Sequence, residues 1–373
     1  MPEIETNLSN LRRKRGLSAI RLAAASGVSR QTIYAMEAGT FIPNTAVALR
    51  LARALETTVE ELFKLPDSSP PPKLRSAEAS LLPGAGDVHA GQAVQLCRVD
   101  KKLIACAASP VPWHFPATDA VVTDEPRKQG KTRVQIFQED EEFTNRVLVA
   151  GCDPGISVLS RHVQSAGIEL VLAHRNSSQA LSLLRDGCIH LAGTHLRDEA
   201  SGESNLPEIA RLFPKNAVAA IAFAVWEEGI LTAPGNPKKI RGITDLTRKD
   251  ITIINREPGA GSRALLDAGL QKAGIAPRQV RGYTQEAPGH LAAAWQVHSG
   301  IVDCCLATRA AARLFGLGFI PLVSERYDLV IRRQHLDLPK VQNLLDVLSR
   351  SGFRRELEAL GGYDMTLAGQ RIL

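Results

Sequence analysis

The chain has 373 residues, a hydrophobic fraction of 44% and a formal net charge of +6 at pH 7. That length predicts two or three domains, and the hydrophobic fraction is ordinary for a protein with a large buried core. No apolar run approaches the roughly 20 residues that span a bilayer, and residues 1–10 lack the apolar core of a signal peptide, so we expect no membrane partner and a cytoplasmic location. The positive charge gives mild support to a nucleic-acid partner.

The six cysteines are scattered along the chain, at Cys97, Cys106, Cys152, Cys188, Cys304 and Cys305. They form no CxxC pair and show no matched spacing to histidine of the kind that is typical of a metal site. We therefore expect reduced, mostly structural thiols and no metal. The adjacent Cys304 and Cys305 favour a buried strand, with oxidant sensing as the alternative.

Residues 17–39 predict two short helices joined by a tight turn. The first helix would bury Leu22 and Ala23, and Gly27 would make the turn. Ser29 has the side chain of a helix cap and would begin the second helix. This layout is that of a helix-turn-helix.

The second helix of this pair has a side to bury and a side to expose. Ile33 and Met36 lie one turn apart and would point into the core. The opposite side would expose Arg30, Gln31, Thr32 and Ala35. Such a polar face suits the major groove of DNA.

Residues 7–63 resemble the Xre-type family of phage repressors. The resemblance implies an all-α, lambda-repressor-like bundle of five helices, with the first at residues 6–14 and the last two at residues 43–55 and 59–63. The alternative is a bundle that only dimerises or packs against the rest of the chain.

By the same resemblance, the start of the second helix of the motif reads bases. Arg bonds guanine, Gln bonds adenine, and the Thr methyl group packs on thymine. Phosphate contacts are implied for Arg12, Arg13 and the cap of the fourth helix, Asn44. The full implied DNA-binding set is Arg12, Arg13, Ser29, Arg30, Gln31, Thr32, Tyr34 and Asn44. Ala19 stands where the family usually carries Gln, which removes one phosphate contact.

We predict three segments before residue 146. Residues 1–65 form the helix-turn-helix domain, and residues 66–73, PDSSPPPK, form a stiff proline-rich linker. Residues 74–145 are expected to form a small β-rich connector, in which residues 93–99 and 103–107 pair as a hairpin. We assign no activity to this connector.

From residue 146 to residue 373, short apolar strands alternate with helical segments, which predicts a parallel α/β architecture. The predicted strands are residues 147–150, 169–173, 190–192, 217–225, 251–254, 280–283, 301–306, 319–323 and 328–331. In open α/β sheets, ligands bind where strands end and helices begin.

Four of these junctions carry hydroxyls, amides or charges, at residues 151–157, 175–178, 255–263 and 287–290. Unpaired N–H groups at helix starts form anion sites, and Arg256 and Arg263 add fixed positive charge. We therefore predict a small anionic ligand, bound by Asp153, Ser157, Ser177, Ser178, Thr194, Arg256, Gly261, Ser262, Arg263 and His290. The alternatives are an ordinary helix cap for each serine, a surface ion pair for each arginine, and a structural role for His195 and His290.

The same region resembles the type II periplasmic-binding-protein-like domains found in molybdate-binding proteins and fused to Xre-type regulators. The matching pieces are GCDP from residue 151, NSSQAL from 176, HLAGTH from 190, FAVWEEG from 223, APGNP from 233, NREPGAGSR from 255 and GYD from 362. The resemblance implies two lobes, residues 146–224 with 319–373 and residues 225–318, with the ligand in the cleft between them. Chain crossovers near Phe223 and Phe319 would act as a hinge.

The resemblance also implies an oxyanion effector, with molybdate or tungstate as the leading prediction. Molybdate sites in that family use hydroxyls and backbone amides, whereas this chain offers Arg256 and Arg263. A carboxylate, a phosphate ester and a pterin-type precursor of the molybdenum cofactor therefore stay open. No cofactor is expected besides this effector.

The combined prediction is a one-component transcription regulator without catalytic residues. The effector would close the lobes and change binding to a double-stranded DNA operator, which a homodimer or higher homo-oligomer would read because one helix contacts few bases. One alternative is a carrier or scaffold in molybdenum cofactor assembly. The other is a dinucleotide-dependent enzyme, because residues 259–264 match GxGxxA after a strand. The chain has no GxSxG or HExxH motif, and Ser262 has no evident base partner.

Overall fold

A computed structural model describes residues 5–64, 75–84, 88–108, 118–127, 130–137, 143–198 and 202–373. The chain divides into two compact units, Met1–Lys73 and Leu74–Leu373, and each is described by itself below. The predicted proline-rich linker at residues 66–73 lies outside the described residues. Among those that are described, no helix is both long and apolar enough to cross a bilayer.

The first unit is a bundle of short helices around one small core. Its helices are α1 Leu8–Lys14, α2 Ala19–Ser26, α3 Arg30–Glu37, α4 Thr45–Ala54 and α5 Val59–Leu62, and two short strands, β1 Glu5–Thr6 and β2 Phe63–Lys64, pair antiparallel. The first helix therefore begins two residues later than predicted and the last ends one residue earlier, because Thr6 and Phe63 pair as strands. The core is formed chiefly by Leu8, Leu22, Ile33, Met36, Leu51, Leu55 and Leu62.

The predicted helix ends of this unit are confirmed by their capping bonds. The Ser29 hydroxyl accepts the Thr32 N–H at 3.0 Å, and the Asn44 side chain accepts the Val47 N–H at 2.9 Å. Gly27 ends α2 at φ +69°, a left-handed conformation that glycine adopts without strain. These local bonds fix the angle at which α3 leaves the turn.

In the second unit, five strands of the described residues close into a small barrel. They are β3 Arg75–Leu81, β4 Ala93–Val99, β5 Lys102–Ala107, β6 Ala120–Val122 and β7 Lys131–Ile136, in the order β3, β5, β4, β6, β7. The predicted hairpin is confirmed as β4 and β5, which pair antiparallel from Val94 opposite Ala107 to Val99 opposite Lys102. No strand was predicted at the positions of β6 and β7, and part of the stretch before them, residues 109–117, lies outside the described residues.

The barrel packs against the large sheet that follows it. Barrel residues Leu82, Cys97, Val99, Ile104 and Cys106 share one apolar core with sheet and helix residues Leu148, Ala150, Val171, Leu181, Leu184 and Val330. The Arg146 guanidinium, at the start of the sheet, donates to the Leu96 carbonyl at 2.9 Å and pairs with Asp119 of the barrel. Residues 74–145 are therefore continuous in packing with the domain after them.

The large sheet has nine strands within the described residues. They are β8 Arg146–Gly151, β9 Glu169–His174, β10 Leu191–Thr194, β11 Val218–Thr232, β12 Ile253–Arg256, β13 Glu286–Ala287, β14 Cys304–Thr308, β15 Gly318–Arg332 and β16 Tyr363–Asp364. The order is β13, β12, β14, β11, β15, β10, β8, β9, with β16 paired to β11.

Helices cover both ends of this sheet and divide the domain into two lobes. The first lobe contains β8 to β10, α6 Gly155–Gln164, α7 Ser177–Arg185, α8 Leu206–Leu212, α12 Arg333–Leu336, α13 Pro339–Ser349 and α14 Ser351–Leu360. The second lobe contains β12 to β14, α9 Gly261–Lys272, α10 Gly289–His298, α11 Arg309–Leu314 and two 3-10 turns, Ile243–Thr247 and Pro277–Gln279. The long strands β11 and β15 run through both lobes.

The sheet differs from the predicted parallel architecture. β8, β9 and β10 are parallel to one another, as are β12, β13 and β14, but β11 and β15 form an antiparallel pair from Val218 opposite Arg332 to Thr232 opposite Gly318. The predicted strands at residues 319–323 and 328–331 are one strand, and residues 280–283 form a turn.

The predicted crossover at Phe319 is wrong. Phe319 pairs with Leu231 inside the second lobe and packs against that lobe's core. The long pair passes between the lobes closer to its centre, where its register shifts between Ala222 and Ala224 and again between Glu228 and Gly229.

Candidate functional site: a DNA-reading face and a closed cleft

The exposed side of α3 presents the residues predicted to read DNA. Arg30 and Gln31 are exposed, and the Tyr34 side chain is 44% exposed. The Arg30 guanidinium donates to the Tyr34 hydroxyl at 3.2 Å and lies over its ring, 5.4 Å from the centroid. Thr32 is half-buried, with its hydroxyl 2.8 Å from that of Ser29. This contact orders the first turn of the helix that would enter a groove.

The three residues predicted to contact phosphates differ in whether their side chains are already bonded within the fold. Arg13 is exposed on α1. Arg12 instead forms an ion pair with Glu37 and donates to the Leu17 carbonyl at 3.0 Å, which leaves its guanidinium 12% exposed. This geometry gives Arg12 a structural role, the tying of α1 to the end of α3. The side-chain oxygen of Asn44 already accepts the Val47 N–H and so caps α4.

The cleft is formed where strand ends of the first lobe face the second lobe. Cys152 follows β8 and His195 follows β10, while Glu228 and Glu325 lie near the centre of β11 and β15. From the second lobe come Ser262 and His290, each the second residue of its helix, and Arg256 at the end of β12. All seven side chains are buried.

Contacts between the lobes close this cleft. The Asn176 side chain donates to the Pro258 carbonyl at 3.1 Å, and the Ser178 N–H donates to the Gly259 carbonyl at 3.4 Å. Gly261 faces the backbone and ring of His195 so closely that a Cβ would overlap them. Residues 259–264, which matched a dinucleotide fingerprint, thus face the opposite lobe.

His195 lies at the centre of the cleft. Its Nδ1 is 2.9 Å from Glu325 Oε2 and 3.7 Å from Glu228 Oε2, and its backbone N–H donates to the Ser177 hydroxyl at 3.1 Å. Burial alone would lower the pKa of His195, but Cys152 and the two carboxylates raise it well above its ordinary value. The imidazole therefore balances acidic groups that have little access to water.

The pKa of Glu228 is also raised, but here burial acts in the raising direction. Burial and repulsion from Glu325 raise the pKa of Glu228, while His195 and the hydrogen bond from the Ser262 hydroxyl act to lower it. Two carboxylates in one buried site do not both ionise readily, so the site retains a proton or attracts a cation.

His290 lies across the cleft from Cys152. Its Nε2 is 3.8 Å from Cys152 Sγ, and its Nδ1 is 3.8 Å from Glu228 Oε1. Burial, with the nearby charges of Arg256 and His195, lowers the pKa of His290 well below its ordinary value. A neutral imidazole has a lone pair available on one nitrogen.

Asp153 and Arg256 border this centre with partners of their own. One Asp153 oxygen accepts from the Tyr363 hydroxyl at 2.6 Å and from the Gly155 N–H at 2.7 Å, and burial raises the pKa of Asp153 to about 6. Arg256 is 1% exposed and pairs with Glu257, with N–O distances of 3.0 and 3.1 Å.

Several predicted ligand residues lie elsewhere or are used in the fold. The exposed Ser157 lies in the first turn of α6 and donates to the Pro154 carbonyl, so it is not the helix cap of the alternative either. Arg263 pairs with Glu286 at 2.7 Å, as the alternative of an ion pair anticipated. Thr194 contacts the Asn205 side chain at 3.3 Å. The other predicted residues border the cleft, namely Asp153, Ser177, Ser178, Arg256, Gly261, Ser262 and His290.

Sequence reasoning missed Cys152, Glu228 and Glu325, and it gave His195 a structural role. One signal was present: the pair of glutamates in FAVWEEGIL interrupts an otherwise apolar strand. Buried charges in such a strand need a partner, so they mark a site.

Many buried polar atoms in and beside the cleft have no hydrogen-bond partner among the described residues. They are Asp153 Oδ2, His195 Nε2, Trp226 Nε1, Glu228 Oε2, Arg256 Nη1, His290 Nδ1 and Tyr327 Oη. Most buried polar groups in folded proteins are paired, and each unpaired one costs about 1–3 kcal/mol. The cleft is thus chemically suited to a polar or charged ligand.

Comparison with known proteins gives a match to each unit. The PBP superfamily domain model matches residues 160–349, and the helix-turn-helix model matches residues 8–62. The uncharacterized protein YvgK of Bacillus subtilis (strain 168) is 33% identical over 240 residues, which cover 64% of this chain and 77% of that protein.

Two further matches each cover part of the chain. An uncharacterized HTH-type transcriptional regulator of Methanothermobacter thermautotrophicus is 40% identical over 63 residues, 17% of this chain and 91% of that protein. Among solved structures, the sulfate-binding protein SubI from Mycobacterium tuberculosis matches with 18% identity and a TM-score of 0.45, over 58% of this chain and 86% of its own.

Proposed function

The chain belongs to the PBP superfamily and carries a helix-turn-helix domain, and from this premise we propose that it is a DNA-binding transcription regulator controlled by a small effector. The observation that carries the proposal is the closed cleft, in which buried polar atoms from two lobes converge without partners in the part of the chain that the structure describes. A domain of this kind closes on its ligand, so the ligand has a direct means of changing the shape of the chain.

The exposed face of α3 supports the DNA part of the proposal. Arg30 and Gln31 have free donors and acceptors of the kind that pair with guanine and adenine in the major groove. The Ser29 cap fixes the start of the helix that carries them. Since operators lie on the chromosome, the proposal places the protein in the cytoplasm.

The charged groups of the cleft indicate what kind of effector it binds. The prediction of molybdate or tungstate stays a prediction, and the group that favours it is Arg256 Nη1, which has no hydrogen-bond partner among the described residues. Glu228 and Glu325 are buried in the same cleft, however, and the repulsion between a carboxylate and an oxyanion is strong at low dielectric. We therefore propose an effector that offsets these carboxylates.

The experiment that tests the DNA part begins with selection of bound duplexes from a random-sequence library by the full chain. Gln31→Ala should then weaken binding to the selected duplex by about 1–3 kcal/mol while leaving binding to random duplex nearly unchanged, because a base contact carries specificity. Fluorescence anisotropy at a fixed salt concentration measures both affinities.

Gln271→Ala is the matched control, since Gln271 is an exposed glutamine on α9 in the other unit. It should leave both affinities unchanged. Equal losses on selected and random duplex for Gln31→Ala would contradict base reading by α3.

We also propose that two copies bind together, because one recognition helix contacts only a few base pairs. The selected duplexes should then contain two related half-sites separated by about one helical turn, roughly 10 base pairs. Selection of a single unrepeated half-site would contradict pairing.

A further inference from the structure

Three side chains that commonly bind metals meet between the two lobes. The Cys152 thiol and one ring nitrogen from each of His195 and His290 lie within 4.8 Å of one another. Cys152 Sγ and His290 Nε2 are 3.8 Å apart. In a tetrahedral zinc site, bond lengths of about 2.3 Å to sulfur and 2.0–2.1 Å to nitrogen place the two ligand atoms about 3.6 Å apart. The observed spacing therefore needs only a small adjustment to hold an ion.

A carboxylate in the cleft orients the His195 ring for this role. Glu325 Oε2 is 2.9 Å from His195 Nδ1, so that nitrogen keeps its hydrogen, and Nε2, which is buried and has no partner among the described residues, is the nitrogen whose proton a metal ion would displace. Glu228 Oε1 lies 3.8 Å from His290 Nδ1, while His290 Nε2 faces the thiol. A carboxylate hydrogen-bonded behind the histidine, as Glu325 is behind His195, is the usual arrangement around metal-binding imidazoles, whereas Glu228 lies beyond hydrogen-bond distance of His290.

The presence of His290 distinguishes this cluster from a catalytic thiol with its general base. A thiol, one imidazole and one carboxylate would suffice for acyl transfer, with Cys152, His195 and Glu325 in those roles. That arrangement leaves no role for His290, whose Nε2 points at the same thiol from the opposite lobe. An ion bound by all three donors uses every group in the cluster.

The donors come from both lobes. Cys152 and His195 belong to the first lobe and His290 to the second. We propose that these three residues bind one divalent transition-metal ion such as zinc. This ion is the effector that holds the lobes together. Thiolate and imidazole select such ions, and three protein ligands leave a fourth position open. This inference rests on the proposed function for its regulatory part.

The inference revises the expectation of no metal, which rested on the lack of any CxxC pair or matched histidine spacing. The three ligands follow β8, β10 and β13, so they are far apart in sequence and meet only through the sheet topology. His195 is also shared with Glu228 and Glu325 in a second cluster of possible metal ligands.

The test uses the full chain, freed of metal by a chelator and titrated with Co(II). We expect one Co(II) per chain and a near-ultraviolet absorption band from charge transfer between thiolate and cobalt, which Zn(II) then abolishes by displacement. Cys152→Ser should remove the band. Cys188→Ser is the control, because Cys188 is a half-exposed cysteine outside the cleft, and it should keep the band. A wild-type chain without the band, or Cys152→Ser with it, would overturn the inference.

Two further measurements remain decisive if Cys152→Ser fails to fold. Zn(II) should slow alkylation of Cys152 in the wild-type chain relative to Cys188, as followed by peptide mass spectrometry; equal rates would overturn the inference. Glu325→Gln should keep the cobalt band but weaken Zn(II) binding about 10-fold to 100-fold, since it disturbs only the orientation of His195.

DNA binding by the same preparations separates this inference from the proposed function. Metal binding with unchanged affinity for the selected duplex would leave the site standing but reject the ion as the effector. Intact DNA binding without any metal site would reject the inference alone. Molybdate is a further arm: an increase in Tm with molybdate that Cys152→Ser does not change, without such an increase for Zn(II), would favour the oxyanion and overturn the metal.

Discussion

His190 is a buried histidine whose neutral ring is needed as an acceptor. Its Nδ1 accepts the Leu148 N–H at 3.1 Å. Burial, with the nearby Lys340 and His335, lowers the pKa of His190 to about 3 from an ordinary value of 6.5, although Asp100 acts in the opposite direction. Because the folded pKa is lower than the unfolded one, the stabilisation is fully present above pH 6.5 and is lost as the pH falls towards 3.

His190→Asn should remove this acid sensitivity while keeping an oxygen to accept from Leu148. Between about pH 6 and pH 4, the free energy of unfolding of the wild-type chain should fall more steeply than that of the variant, by about 1.4 kcal/mol per pH unit. Urea unfolding at a series of pH values measures both slopes.

His89→Asn serves as the comparison, since the His89 side chain is 68% exposed in the folded chain. Its slope should match that of the wild type. If His190→Asn and the wild type lose stability in parallel, the neutral ring of His190 is not the source of the acid sensitivity.

At the residue scale, the sequence predicts interactions between residues that are close together in the chain. Ser29 and Asn44 are predicted correctly as caps, because a cap bonds a backbone N–H only three residues away. The cluster of Cys152, His195 and His290 is different, since the donors follow three separate strands. Residue type alone does not say that such strands end at one place.

The paired strands β11 and β15 are the element that connects the lobes. Both are 15 residues long, and the two register shifts fall in the part of β11 that lies between the lobes. Register shifts of this kind bend and twist a strand. We expect lobe motion to occur by bending of this pair at Ala222–Ala224 and Glu228–Gly229.

Gly261 tests whether closure of the lobes controls the protein. Gly261→Ala adds a methyl group against the His195 backbone and ring, which belong to the opposite lobe. Each lobe should keep its own fold, but the closed state should be disfavoured. Small-angle scattering should report a larger radius of gyration, and Zn(II) binding should weaken at least 10-fold.

Gly352→Ala is the matched glycine substitution, in α14, where the nearest heavy atom to a new Cβ is His162 Cε1 at 4.0 Å. It should leave both the radius of gyration and Zn(II) binding unchanged. If Gly261→Ala behaves in the same way, contact between Gly261 and His195 is not needed for closure.

At the element scale, the sequence pattern predicts only part of each of the two longest strands. The predicted strand at residues 217–225 is only the first half of β11, because two glutamates follow Trp226 and charges normally end a buried strand. The strand continues because Glu228 contacts His195 and accepts from Ser262 across the cleft. The parallel prediction failed for the same reason, since the antiparallel pair β11 and β15 was not recognised as two full-length strands.

At the scale of the whole second unit, the barrel is joined to the first lobe by an apolar core that the two share. Ile104 of β5 is 1% exposed and belongs to this shared core, whereas Val134 of β7 is fully buried inside the barrel itself. A shared core of this kind favours unfolding of the barrel and the sheet in one transition.

Ile104→Ala should therefore destabilise the sheet as well as the barrel, by about 2–5 kcal/mol. The reporter is the fluorescence of Trp226, which is buried in the sheet, in a chain whose other two tryptophans, Trp113 and Trp295, are replaced by Phe. Denaturant unfolding should show an earlier midpoint.

Val134→Ala should shift the same Trp226 transition, because loss of the barrel interior removes the barrel from the sheet. A Trp226 midpoint that stays in place in both variants would mean that the barrel unfolds independently.

This shared core also decides where the chain can be cut and joined. A fragment beginning at residue 146 would leave Leu148, Ala150 and Val171 facing water instead of Leu82 and Ile104, and so would aggregate readily. The chain divides into its compact units between Lys73 and Leu74, and each unit has an apolar core of its own among the described residues. Exchange of DNA-binding domains between regulators of this kind, in the laboratory or by recombination of genes, would succeed at this division. The barrel would then stay with the two-lobed domain.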